Sequence, residues 1–386
     1  MAPHYDLPHD RSPSPLLRNL LVWGLPLLAW GLLIFGWMLF SGSDDGEDNK
    51  KDAPTEARQT PPMAPTAGGT VAAQTGTSGT PTPSAPTAAP AIPSSMSTAT
   101  APTTTTGNTP RPQAVTGSAF PSAPYDFSGA PSYIGLPKES ACGTGILVDP
   151  KTRKVLWAKA ADRPVPIASM TKMMTLLLAE EAIAAGAVSR STVIPVTVEA
   201  YKIGGSQVWL DPKESFPLQE LLKAVAIKSA NDAAYLVGEY LGSGDIGAFV
   251  RRMNERAKAI GLTHTIFYDA HGLGDALKRN NKASAHDMII LGERLLGYPE
   301  TMKMSATRMD TFRNGKTELR NHNNLVFNRV NGVDGLKTGY TNASGFCVTF
   351  SCLRGGRRLL GCVTGFKSPR DRDAFCKALL SWGYTR

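Results

Sequence analysis

Charge and aromatic rings are absent from residues 61–110 of this 386-residue chain. A stretch of that kind cannot bury enough apolar surface to offset the entropy of ordering it. The wider segment 51–130 shows why: Pro, Thr, Ala, Ser and Gly fill 62 of its 80 positions. Residues 41–130 are therefore expected to form a disordered linker, kept semi-extended by proline, and the folded part is expected over 131–386. Cysteine is scarce too. The five residues at 142, 347, 352, 362 and 376 form no C-x-x-C and take no zinc spacing with histidine. Five is odd, so at least one thiol is free or intermolecular. His264, His271, His286 and His322 show no H-E-x-x-H or similar spacing, so neither metal nor cofactor is expected. Gly143-Thr144-Gly145 is not a dinucleotide fingerprint, because Val148 fills the third glycine's place. No Lys/Arg run exceeds two and no nucleic-acid motif occurs, so nucleic acid is not an expected partner.

What is present is unevenly distributed. Residues 1–130 carry a net charge of −3 and residues 131–386 a net of +12. A basic folded part suits an anionic partner, such as an anionic polymer or lipid. Leu20 to Phe40 are 21 positions without a charge, which as a helix span about 30 Å, one bilayer core. Arg11 and Arg18 precede the span, and Asp44, Asp45, Glu47 and Asp48 follow it. The positive-inside rule then places residues 1–19 in the cytoplasm, 20–40 in the membrane and the rest outside. A secretory signal would have a shorter apolar core and a small-x-small cleavage site; Ser41-Gly42-Ser43 leaves that alternative open. Either way the C-terminal part is exported, periplasmic or extracellular.

Within 131–386, Gly145–Asp149 and Lys154–Ala158 read as strands around a Pro150–Arg153 turn. Residues 168–185 read as a helix that is apolar nearly all round and therefore central. Further helices are expected at 218–227, at 232–241 with Asp232 as its cap, at 245–260, at 284–296 opened by Ser284, and at 370–382. Phe346–Leu353 and Arg358–Thr364 read as strands joined through Gly355-Gly356. With that loop, Cys352 faces Leu359 and Cys362 faces Thr349. Cys347 is only diagonal to Cys362, about 7 Å away, so no disulfide is expected within the hairpin. Strands at both ends with helices between imply an α+β fold, one sheet assembled from the two ends plus an inserted helical lobe.

Ser169-Met170-Thr171-Lys172 opens the central helix. Positions i and i+3 share a face, so the lysine amine can reach the serine hydroxyl, and a lysine made neutral by burial can serve as the base that a serine nucleophile needs. Alone, S-x-x-K is a weak signal. It is followed by Ser229-x-Asn231 on a turn between helices, and by Lys337-Thr338-Gly339 ahead of the final hairpin. Each pattern occurs once, and this ordered trio marks penicillin-binding proteins and class A β-lactamases. With the runs PIASMTKMMT, GGSQVWL, MNERAKAIGLTHTIFYDAHGL, ASAHDM and VDGLKTGYTNASGFC, the chain from about Gly143 to Arg386 resembles the D-alanyl-D-alanine carboxypeptidases, the low-molecular-mass penicillin-binding proteins of serine peptidase family S11.

That resemblance implies a β-lactamase/transpeptidase-like fold, a five-stranded antiparallel sheet flanked by helices with an inserted helical subdomain. It implies a serine DD-carboxypeptidase that removes the terminal D-Ala from peptidoglycan stem peptides ending in D-Ala-D-Ala, and β-lactams as covalent inhibitors. Ser169 would attack the penultimate D-Ala carbonyl, Lys172 would take its proton, and Ser229 would relay one to the leaving amine. Asn231 would hold the acyl chain's amide, and Lys337 with Thr338 would bind the terminal carboxylate. The backbone N–H groups of Ser169 and Tyr340 would form the oxyanion hole next to Gly339. Tyr340 stands where the family usually has histidine; only its backbone is needed, so tuning rather than loss is expected. Many members carry a C-terminal β-domain and anchor helix, and here the N-terminal span is expected to supply the attachment. A β-lactamase would carry an E-x-x-L-N pattern, which 232–336 lacks. A non-catalytic wall-binding protein would not need the Ser169/Lys172 pair. An endopeptidase acting on cross-bridges uses the same residues and stays open.

Overall fold

Two tight turns build the sheet. Strands β1 (Thr144–Asp149) and β2 (Lys154–Lys159) are joined by a turn in which the Asp149 carboxylate accepts the N–H groups of Lys151 and Thr152 at 3.1 and 3.2 Å, the usual device of a turn-initiating aspartate. At the other end of the chain lie β3 (Val333–Thr341), β4 (Gly345–Arg354) and β5 (Arg357–Phe366). The computed structural model describes residues 123–386. The expected membrane span 20–40 lies outside the described residues, as does all of the expected linker except its last residues.

The five strands form one antiparallel sheet in the order β2-β1-β5-β4-β3. The β4–β5 register is the one the Gly355-Gly356 loop predicts: Arg354 faces Arg357, Cys352 faces Leu359 and Thr349 faces Cys362. Cys347 falls at an irregularity between Phe346 and Val348, and all five cysteines are buried free thiols. Alternate residues go to opposite faces, as the two-residue period requires. Leu147, Leu359 and Val363 join Trp157, Phe375 and Leu379 in one apolar layer. Ile146, Leu360 and Cys362 join the large core on the other side.

That larger core is built on helix α1 (Lys172–Ala184), buried without interruption from Lys172 to Glu180, so its all-round apolar sequence does read as a central helix. Around it pack α2 (Leu218–Lys223), α3 (Asn231–Leu241), α4 (Ile246–Ala259), α5 (Ala285–Leu296) and α6 (Pro299–Ala306). Helix α7 (Pro369–Gly383) covers the sheet's other face. Ser284 caps α5 as expected, accepting the Asp287 N–H at 3.0 Å.

Four expectations need correcting. Residues 168–171 form a 3₁₀ turn, and α1 starts only at Lys172. The helix expected over 218–227 ends instead in a π-helical turn, Ala224–Lys228, a feature often found beside functional sites. Asp232 is not the cap of α3. That helix starts one residue earlier with Ala230 at its cap position, and the Asp232 carboxylate accepts the N–H groups of Val208 and Leu210 at 3.1 Å. The folded part also begins before residue 131. Tyr125 is buried, its hydroxyl donates to Glu293, the Arg153 guanidinium lies 3.7 Å over its ring, and Asp126 bridges to Lys154.

Candidate active site

The site is assembled where β3, an edge strand, meets the turn ahead of α1. Ala168 adopts φ of +46°, the left-handed region that a residue with a Cβ enters at a cost of about 1–2 kcal/mol. The tight turn that follows, Ala168–Thr171, aims Ser169 into an open cleft of about 360 Å³. Two glycines grip this turn. A Cβ on Gly339 of β3 would lie 2.6 Å from the Ile167 carbonyl oxygen, and one on Gly272 would lie 2.1 Å from that of Ala168.

Lys172 is fully buried. Its Nζ lies 2.6 Å from Asn231 Oδ1, 2.6 Å from the His271 carbonyl oxygen and 2.9 Å from Ser169 Oγ. The Asn231 amide is oriented by its own Nδ2, which donates to the Gly204 carbonyl at 2.8 Å. Both carbonyl-type oxygens can only accept. A neutral amine has two hydrogens and one lone pair. With both hydrogens spent on Asn231 and His271, the lone pair is left for the Ser169 hydroxyl. Burial, with the nearby Lys337 charge, holds the Lys172 amine well below the usual lysine range, while Asp269 and Asp232 pull in the opposite direction.

Ser229 occupies a left-handed position (φ 63°) that ends the π-helical turn, and its hydroxyl lines the cleft without a hydrogen-bond partner among the described residues. Asn231, the first residue of α3, also lines the cleft; with Oδ1 on Lys172, only its second amide hydrogen is free for a ligand. On the opposite wall stand Thr338, Gly339 and Tyr340. The Tyr340 ring stacks on Phe346 with centroids 4.0 Å apart. Lys337 sits behind this wall rather than in it. Its Nζ donates to the Thr338 carbonyl at 3.1 Å, and burial lowers its pKa to about 7.

Sequence reasoning missed three contributors. Arg372, at the start of α7, lines the cleft although nearly buried. It donates to Asp373 at 2.7 and 2.9 Å and to the Cys347 carbonyl at 3.2 Å, which leaves two of its five N–H groups unspent. His322 lines the same cleft, and burial, with the nearby Lys337, Lys228 and Arg320 charges, lowers its ring pKa to about 4, so it is neutral at neutral pH. The third is the His271 carbonyl, held by a turn whose clamp is Asp269: its carboxylate accepts the N–H groups of His271 at 2.7 Å, of Gly274 at 2.8 Å and of Gly272. None of these three has a motif; only the aspartate–glycine pattern of DAHGLG hints at the turn. Among the described residues, no group of three or more His, Cys, Asp or Glu side chains is arranged to hold a metal ion.

The sequence matches the D-alanyl-D-alanine carboxypeptidase family, Peptidase S11, over residues 133–368. The chain belongs to that family. It is 36% identical over 246 residues to D-alanyl-D-alanine carboxypeptidase DacF of Bacillus subtilis, an alignment covering 63% of this chain and 62% of that one. The chain thus spans about three fifths of the length of the curated relatives it matches. Among solved members, penicillin-binding protein 6B from Escherichia coli superposes with a TM-score of 0.61 at 28% identity, covering 67% of this chain and 81% of that one. Penicillin-binding protein D2 from Listeria monocytogenes, solved in an ampicillin-bound form, superposes with a TM-score of 0.58 at 25% identity, covering 65% and 99%. The five-stranded sheet with its flanking helices is the fold of these penicillin-binding proteins.

Proposed function

We propose that this protein is a serine DD-carboxypeptidase that removes the terminal D-Ala of a peptidoglycan stem peptide through an ester on Ser169. The observation that carries the reading is the placement of Lys172, whose lone pair has only the Ser169 hydroxyl left to meet. The Ser169 proton passes to Lys172 Nζ as Oγ bonds to the carbonyl carbon of the penultimate D-Ala. Backbone N–H groups of Ser169 and Tyr340 take the developing oxyanion. The C–N bond then breaks, and the departing amine takes its proton by way of the unpartnered Ser229 hydroxyl. Water hydrolyses the ester and restores Ser169. The terminal carboxylate is bound by Thr338 and by the spare N–H groups of Arg372, with Lys337 supplying positive charge from behind the wall. β3 is an edge strand, so the acyl peptide has open backbone to pair with.

A β-lactam enters by the same attack, as the ampicillin-bound Listeria relative suggests, but its leaving group stays tethered in the adduct and obstructs water. With a stem pentapeptide ending in D-Ala-D-Ala, mass spectrometry is expected to show one D-Ala released per peptide, and none with Ser169→Ala. Benzylpenicillin is expected to add one drug mass at Ser169 and persist. D-Ala release by Ser169→Ala, or rapid repeated penicillin hydrolysis, would overturn the assignment. Preferential cleavage of a cross-linked peptide dimer over the pentapeptide would make the enzyme an endopeptidase. The uncharged span 20–40 and its flanking charges support a membrane-anchored protein with an exported catalytic domain. Cell fractionation with sequencing of the mature N-terminus tests this, and a soluble form starting near residue 44 would refute the uncleaved anchor.

A further inference from the structure

A second cavity of about 630 Å³ lies beside the cleft, and no step above uses it. Ile246, Val250 and the rings of Tyr235 and Tyr268 line it, and Leu273 is a wall of both cavities. Its volume is in the usual range for a small-molecule site. Most of its charge is already matched. Arg279 pairs with Asp275 at 2.5 Å, and the Asp269 carboxylate is spent on three backbone N–H groups.

Two groups are unspent. Lys202 makes no ion pair among the described residues. His271 is only 6% exposed. Its Nδ1 accepts the Leu273 N–H at 3.2 Å, and burial lowers the ring's pKa to about 4. The neutral ring therefore carries its proton on Nε2, which finds no acceptor among the described residues. That nitrogen is not sealed off from solvent, and the ring lines the cavity, so it is open to a ligand that enters there. One donor, one free cation and apolar or aromatic walls suit a monoanion with an apolar body; a dianion would meet the nearby Asp269 and Asp275 charges.

We propose that this cavity is a second ligand site, for an amphipathic carboxylate whose anionic end meets His271 Nε2 and Lys202, and that its occupancy is felt at Lys172 through the His271 turn. The physical link is a single residue. The His271 ring lines the cavity while its carbonyl holds Lys172 Nζ, and the adjacent Ala270 carbonyl accepts from Thr175 Oγ1 at 2.7 Å. Gly272 packs directly on the Ser169 turn. A ligand that shifts the ring therefore shifts an acceptor of the base. The coupling rests on the acyl-enzyme reading above, whereas the binding does not.

The probe is 4-phenylbutyrate, with 4-phenylbutyramide as its neutral counterpart, titrated calorimetrically into the full chain before and after acylation by benzylpenicillin. The carboxylate is expected to bind both forms, at least tenfold more tightly than the amide. Val250→Trp, which fills the cavity, is expected to abolish binding and to leave the acylation rate unchanged. Saturating probe is expected to change the acylation rate of the unaltered protein at least threefold and that of Val250→Trp not at all. Equal affinity for the amide, loss of binding on acylation, or binding unaffected by Val250→Trp would overturn the site, and binding with no change in acylation rate would overturn the coupling. If benzylpenicillin fails to acylate Ser169, it is the acyl-enzyme reading that falls, and the titration of the free enzyme still decides the site.

Discussion

In the proposed mechanism Lys172 is the base, and the charges around it would set the pH at which it works. The protonated amine is disfavoured by burial and by the Lys337 cation, and favoured by the Asp269 and Asp232 anions. Removing a neighbouring cation lets the charged form persist to higher pH, and removing a neighbouring anion does the reverse. The acid limb of the pH profile for benzylpenicillin acylation should therefore move to higher pH in Lys337→Gln and to lower pH in Asp269→Asn. Stopped-flow acylation across pH 4 to 10 reads both; shifts of the same sign would show that the variants act by disturbing the fold rather than the charge. The contact between Ser169 and Lys172 was legible because side chains three residues apart come to the same face. Arg372 was not, since a buried arginine near a helix start leaves no pattern. Neither were His322 and the His271 carbonyl, which matter by position and not by residue type.

Between elements, the decisive contact is the turn of Ser169 gripped by β3 on one side and the Asp269-clamped turn on the other. Gly339 is needed there because backbone approaches backbone, with no room for a methyl group. Gly339→Ala should push β3 off the turn. A displacement near 1 Å at a reacting group costs about a hundredfold in rate, so acylation should fall by a factor of about 10–100 while circular dichroism stays unchanged; acylation at the normal rate would refute the grip. The β4–β5 hairpin could be read residue for residue, because Gly355-Gly356 fixes the loop and the loop fixes the register. β3 could not be read from periodicity. Its sequence VDGLKTGYT mixes two glycines and two charges into a strand of nine residues, and it is a strand because β4 pairs along it. The π-helical turn before Ser229 escaped for a similar reason: AVAIK has ordinary helical residues, and packing, not propensity, imposes the wider turn.

At the scale of the whole molecule, the folded part is longer than composition suggests. Tyr125 lies in a Pro-, Ala- and Ser-rich surrounding that reads as linker, yet it fills a site between Arg153 and Glu293. A chain starting at residue 131 loses that ring, a large-to-small change worth about 3–5 kcal/mol, and its melting temperature should fall by roughly 6–20 °C at about 2–4 °C per kcal/mol. A chain starting at residue 123 should melt like the full protein, and equal melting of the two truncations would show that Tyr125 contributes nothing. The five thiols have a consequence of another kind. All are buried, and burial raises the pKa of each, to about 12 for Cys142 and Cys347. Only the thiolate is alkylated, so the native molecule is nearly inert to iodoacetamide, whereas an opened chain takes up five labels. The protein thus carries its own clock for global opening. In the mass spectrum, unlabelled and fully labelled molecules count the chains that have stayed closed and those that have opened at least once, and partly labelled ones show which layer of the sheet opens first.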